Sequence, residues 1–189
     1  SLSLSYQFRI SIFWRAQAQA KPNAPEIVYL DDDLPPEQVA GLYTACDCLV
    51  HPYRGEGFGL PVLEAMACGL PVLCTGGGST DDFATDQYAY RIPAVRKSTK
   101  PWIGQILLVK EGWLLEPDKD ALADRMRWVF KHRDKARAKG QRAAAHVHAE
   151  WTWERAAEKA MARIHALATQ AEPSDALEGA IKRMREKTE

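Results

Sequence analysis

Two glutamates, Glu56 and Glu64, stand eight positions apart around a segment whose residue types suggest ligand binding. Between them runs the sequence Gly57-Phe-Gly-Leu-Pro61. Proline fits the first turn of a helix, where its missing N–H costs nothing, and the glycines let the backbone approach a ligand closely. The free amides at such a helix start, with the positive end of the helix dipole, favour a phosphate or pyrophosphate.

Glu64 is the residue that is hardest to explain as a purely structural one. We predict a helix from Pro61 to Cys68 that is closed by Gly69. The other residues of this helix are apolar or small, which predicts burial on nearly all sides. A buried carboxylate is costly unless it accepts hydrogen bonds, and helical side chains lean toward the N-terminus. We therefore expect Glu64 to accept from hydroxyls such as those of a ribose diol, whereas Glu56, on the loop, could accept from sugar hydroxyls.

Three nearby features allow two interpretations each. Arg54 could offset diphosphate charge or could be an exposed loop arginine. His51 ends a predicted strand and is either a core histidine or a site residue. The run Gly76–Gly78 is either a flexible turn or a ligand contact, and it matches neither a P-loop nor the dinucleotide-binding fingerprint.

The elements that position these residues alternate between short apolar strands and helices. The predicted strands are Ile27–Leu30, Cys48–Val50, Val72–Cys74 and Gly112–Leu115. The predicted helices are Pro36–Ala45, Pro61–Cys68, Asp118–Lys131, Lys135–His148 and Trp153–Ala168. This alternation predicts an α/β fold, a Rossmann-like three-layer parallel sheet with helices on both faces. Ligands bind such a sheet at the carboxyl ends of its strands, which is where the Glu56 loop begins.

The remaining stretches are less regular. Residues 6–12 alternate apolar and polar side chains, as a strand with one wet face does. Within Ser79–Glu111 we predict a hairpin between Ala89–Ile92 and Ile106–Val109, and we interpret its basic residues as a solvated loop or as a cover for the site. We accordingly divide the chain into an N-terminal strand (1–20), a Rossmann-like domain (21–170) and a charged helical tail (171–189).

Composition excludes several classes of protein. The 189 residues contain 25 Lys or Arg and 25 Asp or Glu, a balance that excludes a strongly basic nucleic-acid binder. No apolar run reaches the roughly 18 residues of a spanning helix, so we expect a cytoplasmic protein that could attach peripherally to a membrane. The four cysteines lie in apolar segments and are predicted to be reduced.

His146 and His148 do not predict a metal site, because helical residues two apart face different ways.

The segment Glu56–Val72 resembles the E-x(7)-E signature of the retaining glycosyltransferases of family 4, which have the GT-B fold. Ile27–Asp47 resembles the preceding strand–helix unit of that family, and Gly76–Asp82 resembles the glycine turn that follows. Gly112–Asp118 is similar to a late strand-to-helix step, and Trp151–Trp153 is similar to the start of the terminal helix. The resemblance covers about Pro22 to Ala168.

The resemblance implies the donor-binding half of an enzyme that uses a nucleotide sugar, such as a UDP- or GDP-sugar, without a metal or other cofactor. It implies that Glu56 is the catalytic residue, nearest the reacting centre, and that Glu64 holds the ribose hydroxyls. The other implied donor contacts are the amides of Gly57, Phe58, Gly59 and Leu60 and the backbone near Leu30 and Asp31, against which the base would lie. The implied acceptor is a glycan, lipid or protein; no nucleic-acid partner and no integral membrane segment are expected.

The chain departs from the family pattern in two ways. The acceptor-binding half is missing, and the phosphate-binding Arg and Lys of the family are not matched in Ser1–Ala20, where only Arg9 and Arg15 occur. We therefore expect transfer to need a further N-terminal half. The alternative is a non-catalytic module for sugar-nucleotide binding or assembly; a third hypothesis is a hydrolase or epimerase acting on sugar nucleotides.

Overall fold

The structure is a computed structural model that describes residues 26–28, 30, 33–99, 102–103, 106–107, 109 and 112–170. The chain divides into two compact units, Ser1–Pro35 and Pro36–Glu189. The described residues of the first unit form neither helix nor strand, and Val28 and Leu30 are 71% and 54% exposed. Ile27, Val28 and Leu30 of the predicted strand Ile27–Leu30 are therefore not in a strand, and Tyr29 lies outside the described residues. The strand predicted over residues 6–12 and the predicted tail lie outside the described residues.

The sheet of the second unit is parallel, as predicted. Its strands are β1 (Leu49–His51), β2 (Val72–Thr75) and β3 (Tyr90–Ile92), hydrogen-bonded in that order within the described residues. The register places Val50 beside Leu73 and Cys74 beside Arg91. All three strands therefore end at one edge, from which the Glu56 loop leaves β1.

Five α-helices occur in the described part of the chain. They are α1 (Pro36–Ala45), α2 (Leu60–Ala67), α3 (Lys119–Lys131), α4 (Arg133–Glu150) and α5 (Trp153–Gln170). Asp118 caps α3, because its Oδ1 accepts from the amides of Asp120 and Ala121 at 2.9 and 3.0 Å. The sequence prediction of these helices is confirmed to within a few residues at each end.

The helices flank both faces of the sheet, which confirms the predicted fold class. Val72 and Cys74 on β2 belong to one buried cluster, with Val62 and Met66 of α2, whereas Leu73 points to the other face. The second cluster contains Leu73, Ile92 of β3 and Val129 of α3. This alternation is the period-two geometry of a strand that is buried on both faces. Helix α4 serves both clusters, through Ala136 on one and Ala143 and Val147 on the other.

The predicted hairpin between Ala89–Ile92 and Ile106–Val109 is wrong. Tyr90 and Ile92 are buried, and their strand β3 continues the parallel sheet. Instead β4 (Ala94–Ser98) pairs antiparallel with β7 (Trp113–Pro117), and β5 (Trp102–Ile103) pairs antiparallel with β6 (Ile106–Leu107). The predicted strand Gly112–Leu115 thus exists, as part of β7, but it lies outside the parallel sheet.

Helix α2 ends as the sequence predicts. Gly69 has a φ of +75°, the left-handed conformation that glycine adopts without strain. Its amide donates to the Met66 carbonyl and the Leu70 amide donates to the Ala65 carbonyl, at 2.9 and 3.0 Å. These are the two bonds of a Schellman motif. Within the described ranges, no helix is both long enough and apolar enough to cross a membrane.

Candidate functional site

The loop between β1 and α2 brings free backbone amides to the carboxyl edge of the sheet. Gly59 is the N-cap of α2, and its carbonyl accepts from the amides of Val62 and Leu63 at 3.0 and 3.2 Å. Pro61 lies in the first turn and has no N–H to satisfy. Within the described chain, no protein acceptor binds the amides of residues 57 to 60. The helix start therefore presents donors and the positive end of its dipole, as predicted.

The backbone at Gly59 cannot carry a side chain. Its φ is +90°, and a Cβ there would lie 2.5 Å from Cγ2 of Thr80. Next to it, the Phe58 ring packs 5.3 Å from the ring of Phe83 and 6.2 Å from that of Trp151, measured between centroids. The Phe58 side chain is thus used for packing, which leaves its amide as the group that the residue can offer to a ligand.

Glu56 is held by a neighbour that the sequence did not assign to it. Its Oε1 lies 3.0 Å from Nε2 of His51, and both side chains are 27% exposed. His51 is the last residue of β1, and the chain returns to it after five residues of loop. Of the two interpretations of His51, the structure supports a place beside the site. The position of His51 could have predicted this contact, because a residue at the carboxyl end of β1 lies at the same sheet edge as the loop that follows.

Glu64 is exposed, and the prediction that its helix is buried nearly all round is wrong. Val62, Ala65 and Met66 are buried, while Leu60 and Glu64, one turn apart, face outward. Helix α2 buries one stripe against the sheet and α4, and it leaves the opposite stripe open. The carboxylate therefore does not pay the desolvation cost that the sequence argument assumed.

The partner of Glu64 is a hydroxyl group. Oη of Tyr43, on α1, donates to Oε2 of Glu64 over 3.3 Å. Burial of the phenol, and after it the charge of Glu64 and this hydrogen bond, raise the pKa of Tyr43 to about 12. Among the described residues, no Lys, Arg or His forms an ion pair with Glu64. Oε1 and the second lone pair of Oε2 therefore remain free to accept from a ligand.

Arg54 is placed against the antiparallel pair of strands. Its Nη2 lies 3.1 Å from Oε2 of Glu116 on β7, and its side chain is 55% exposed. Its carbonyl accepts from the amide of Leu115 over 2.8 Å, so that β7 is fastened to the loop. The Arg54 guanidinium thus already pairs with one carboxylate. Its remaining N–H groups can still donate hydrogen bonds to an anion.

The glycine turn after β2 is braced by side chains. Asp81 accepts from the amide of Gly77 at 3.0 Å and pairs with Nη2 of Arg91 at 2.6 Å. At Gly78 a Cβ would lie 2.5 Å from Oη of Tyr53, which explains the glycine. The turn is therefore braced by packing and is not the flexible turn of the first sequence interpretation, while the second, a ligand contact, stays a prediction.

Buried hydroxyls tie the Glu56 loop to β2. Oη of Tyr53 lies 2.8 Å from Oγ1 of Thr80, and Oγ1 of Thr75 donates to the Tyr53 carbonyl over 2.7 Å. All three side chains are buried, so each bond is shielded from water. Sequence reasoning missed this bracing because threonine and tyrosine carry no spacing signal.

The family of this chain follows from direct comparison. The family described as "Glycosyl transferases group 1" matches residues 15–146, which is more than half of the chain. The chain belongs to the group 1 glycosyl transferase family.

Individual relatives match over shorter segments. This glycosyltransferase is similar to O-antigen chain mannosyltransferase B of Escherichia coli, with 45% identity over 53 residues, which are 28% of this chain and 14% of that protein. It is also similar to D-inositol 3-phosphate glycosyltransferase of Corynebacterium jeikeium (strain K411), with 50% identity over 44 residues, 23% of this chain and 10% of the relative.

A solved structure shares the fold over most of the chain. The sucrose-phosphate synthase from Thermosynechococcus elongatus superposes with a TM-score of 0.62 and 23% identity, over 88% of this chain and 35% of that one. The likeness confirms the predicted GT-B type of fold. The chain thus spans about a third or less of the lengths of these proteins.

The predicted base contact at Leu30 and Asp31 and the histidine pair His146 and His148 lie away from the start of α2 in the sequence. Leu30, expected near the base, belongs to the first unit, and Asp31 lies outside the described residues, so this contact stays a prediction. His146 stacks on Tyr88, with centroids 4.2 Å apart, whereas Nε2 of His148 lies 3.0 Å from the Ala67 carbonyl oxygen. The two histidines face different neighbours, as predicted, and the described residues hold no group of three or more His, Cys, Asp or Glu placed for a metal.

Proposed function

We propose that this glycosyltransferase chain is the donor-binding part of a retaining enzyme of family 4 that uses a nucleotide diphosphate sugar, such as a UDP- or GDP-sugar. The observation that carries the proposal is the turn into α2, where unbonded amides lie between two carboxylates that no cationic Lys or Arg neutralises within the described chain. A diphosphate needs donors and a positive field, and a sugar and a ribose need acceptors. One segment supplies all three.

The diphosphate would bind at the start of α2. The amides of residues 57 to 60 supply hydrogen bonds, and the dipole of α2 adds a fixed partial positive charge. Charge develops on the leaving diphosphate as the glycosidic bond to the sugar breaks, so donors that are already in position favour the transition state. Arg54 would add a cation at the rim, shared with Glu116.

Glu64 would hold the ribose. A carboxylate with free lone pairs accepts two neighbouring hydroxyls at once, which suits a vicinal diol. Tyr43 donates to one oxygen of Glu64 from α1 and so orients the group without neutralising its charge. We infer that a bound nucleotide would cover the Glu64 side chain, which is exposed in this structure.

Glu56 would contact the donor sugar nearest the reacting centre. It lies before the helix start, and His51 limits the positions that its carboxylate can take. Transfer needs an acceptor-binding half that supplies the second wall of the cleft, so we expect the chain alone to bind donors and to transfer poorly. The acceptor, a glycan, lipid or protein, is not identified by these residues.

Calorimetric titration of the chain with UDP, GDP, UDP-glucose and GDP-mannose tests the proposal. We expect one nucleotide class to bind and Glu64→Ala to weaken it at least tenfold, the scale of a hydrogen bond to a charged group. Glu37→Ala on α1 is the matched control, since it removes an exposed acid from another part of the same unit. No binding of any nucleotide, or equal loss in both variants, would contradict the donor site.

The same preparation separates the alternatives. A hydrolase would release free sugar and nucleoside diphosphate from the donor, while a binding module would return the donor unchanged even with the acceptor-binding half present. For a retaining transferase, NMR of the transferred sugar shows the anomeric configuration of the donor. Inversion of that configuration would refute the retaining mechanism and leave the donor site intact.

A further inference from the structure

Basic residues are concentrated at the junction of α3 and α4. Residues 125–142 contain eight Lys or Arg and one acidic residue, in a chain whose net charge is zero. The eight are Arg125, Arg127, Lys131, Arg133, Lys135, Arg137, Lys139 and Arg142. A local excess of this size on two consecutive helices produces a positive field that the net charge conceals.

Of the eight cations, Arg127 and Arg133 pair with acids among the described residues, and the other six do not. Arg127 pairs with Asp124 at 2.9 Å, and Lys139 donates to the Asp86 carbonyl at 2.6 Å. Arg133 lies 3.9 Å from Asp47, at the limit of an ion pair. For Arg125, Lys131, Lys135 and Arg137, no ion pair occurs within the described residues. The patch can therefore attract a polyanion.

Apolar side chains are exposed among these cations. Met126 and Phe130, one turn apart on α3, are 45% and 68% exposed. Both line a cavity of about 610 Å³ whose wall also includes Arg133 and Arg137 of α4. The guanidinium of Arg133 lies 5.0 Å from the centroid of the Phe130 ring. One concave surface thus combines apolar side chains with two guanidinium groups.

The cavity lies at the opposite edge of the sheet from Glu56. It is lined by Cys48 and Pro71, the residues that immediately precede β1 and β2. A ligand there would not occlude the start of α2. Tyr43, the hydrogen-bond partner of Glu64, also lines the cavity, whereas Met126, Phe130, Arg133 and Arg137 lie on α3 and α4 and are not among the proposed donor contacts.

We propose that this surface, formed by Met126, Phe130, Arg133 and Arg137, docks the protein on a membrane that contains anionic lipids. Lipid phosphates would bind the two guanidinium groups, and Met126 and Phe130 would enter the headgroup region. Interfacial binding combines these two contributions, apolar insertion and attraction of basic residues to anionic lipid. A nucleic acid would use the same charges and could stack a base on the Phe130 ring, but Met126 beside it offers a base no aromatic surface, whereas both side chains suit apolar insertion.

Co-sedimentation of the full chain with vesicles tests the proposal. We expect binding to phosphatidylcholine vesicles that contain about 30% phosphatidylglycerol, and none to pure phosphatidylcholine. Raising the salt concentration from about 0.05 to 0.5 M should weaken the binding, because it screens the charges. Arg133→Glu/Arg137→Glu should lower the partition at least 25-fold, about fivefold for each cation removed. Met126→Ser/Phe130→Ser should remove the part of the binding that persists at high salt.

Lys97→Glu/Arg163→Glu is the matched control, since it changes the net charge equally at two exposed positions on β4 and α5. It should keep most of the binding. Equal losses in the two charge-reversal variants, or no preference of the unmodified chain for anionic vesicles, would overturn the proposal. Tighter binding to single-stranded DNA than to the vesicles would assign the surface to nucleic acid instead. The nucleotide affinity of the same variants should equal that of the parent chain. The vesicle assay therefore tests the membrane surface, and the nucleotide titration tests the donor site.

Discussion

Nε2 of His51 lies 3.0 Å from Oε1 of Glu56, so the last residue of β1 holds the first carboxylate of the loop that follows it. A strand end is fixed by the sheet, whereas a glycine-rich loop is not. The contact therefore transfers the rigidity of β1 to a side chain that would otherwise have several rotamers. We infer that His51 is a positioning residue for Glu56.

Replacement of His51 should separate sugar binding from nucleotide binding. We predict that Glu56→Gln and His51→Ala each lower the affinity for the nucleotide sugar roughly tenfold, the scale of one hydrogen bond to a charged group. The affinity for the nucleoside diphosphate without the sugar should not change. The physical reason is that Glu56 would contact only the sugar. Calorimetric titration of each variant with both ligands measures the difference.

The conservative variant His51→Gln distinguishes positioning from packing. Its amide can donate to Glu56 from a similar distance and should restore most of the affinity for the sugar nucleotide. If His51→Gln were as weak as His51→Ala, or if both lost diphosphate affinity as well, the histidine would act through the loop backbone and not through Glu56.

A coupling experiment tests the contact between Glu64 and ribose. We predict that Glu64→Ala lowers the affinity for the preferred nucleoside diphosphate at least tenfold. It should have little effect on the affinity for the 2′,3′-dideoxy analogue, because the analogue lacks the hydroxyls that would donate hydrogen bonds to the carboxylate. Titration of both proteins with both ligands gives the four affinities of the cycle. Additive losses would mean that Glu64 does not contact the ribose.

The parts of the fold that follow from local pattern were predictable. The strand β2 is a short apolar run, α3 has an Asp cap, and Gly69 closes α2, and each of these features is encoded within a few neighbouring residues. The amides at the start of α2 followed from Pro61 and the adjacent glycines in the same way. Such features depend little on what packs against them.

The parts that failed depend on packing partners that are distant in the sequence. The exposure of Glu64 follows from α2 covering the sheet with one stripe only, and the hydrogen bond from Tyr43 spans 21 positions. The wrong hairpin has the same origin: the run around Ile92 is apolar in either arrangement, and only the neighbouring strand β2 decides between them. Periodicity does not report which surface a helix or strand meets.

The raised pKa of Tyr43 predicts a loss of stability in alkali. The ordinary pKa of 10.0 becomes about 12 in the folded chain, first through burial and then through Glu64. Above pH 10 the unfolded phenol ionises while the folded one stays protonated, so the free energy of unfolding should fall between pH 10 and 12. Below pH 10 both states are neutral and this contribution is fully present.

Urea unfolding of the parent chain and of Tyr43→Phe across that range measures this effect. The variant should show a shallower decline, and the difference between the two curves belongs to this phenol. In Glu64→Gln the phenolate absorbance of Tyr43 should appear at lower pH than in the parent, but still above 10, because burial is the larger cause. Parallel stability curves for parent and Tyr43→Phe would contradict the assignment.

Two glycines in helices should respond oppositely to alanine. A Cβ at Gly140 of α4 would lie 2.2 Å from the carbonyl oxygen of Gly69, and this neighbour is backbone and cannot turn aside. Gly41 of α1 has no atom within 4 Å of the same position. We predict that Gly140→Ala lowers the free energy of unfolding by about 1–3 kcal/mol through overpacking, while Gly41→Ala raises it by about 0.5–1 kcal/mol through helix propensity. Urea unfolding of the two variants measures both, and a stabilised Gly140→Ala would mean that α4 does not approach the end of α2 this closely.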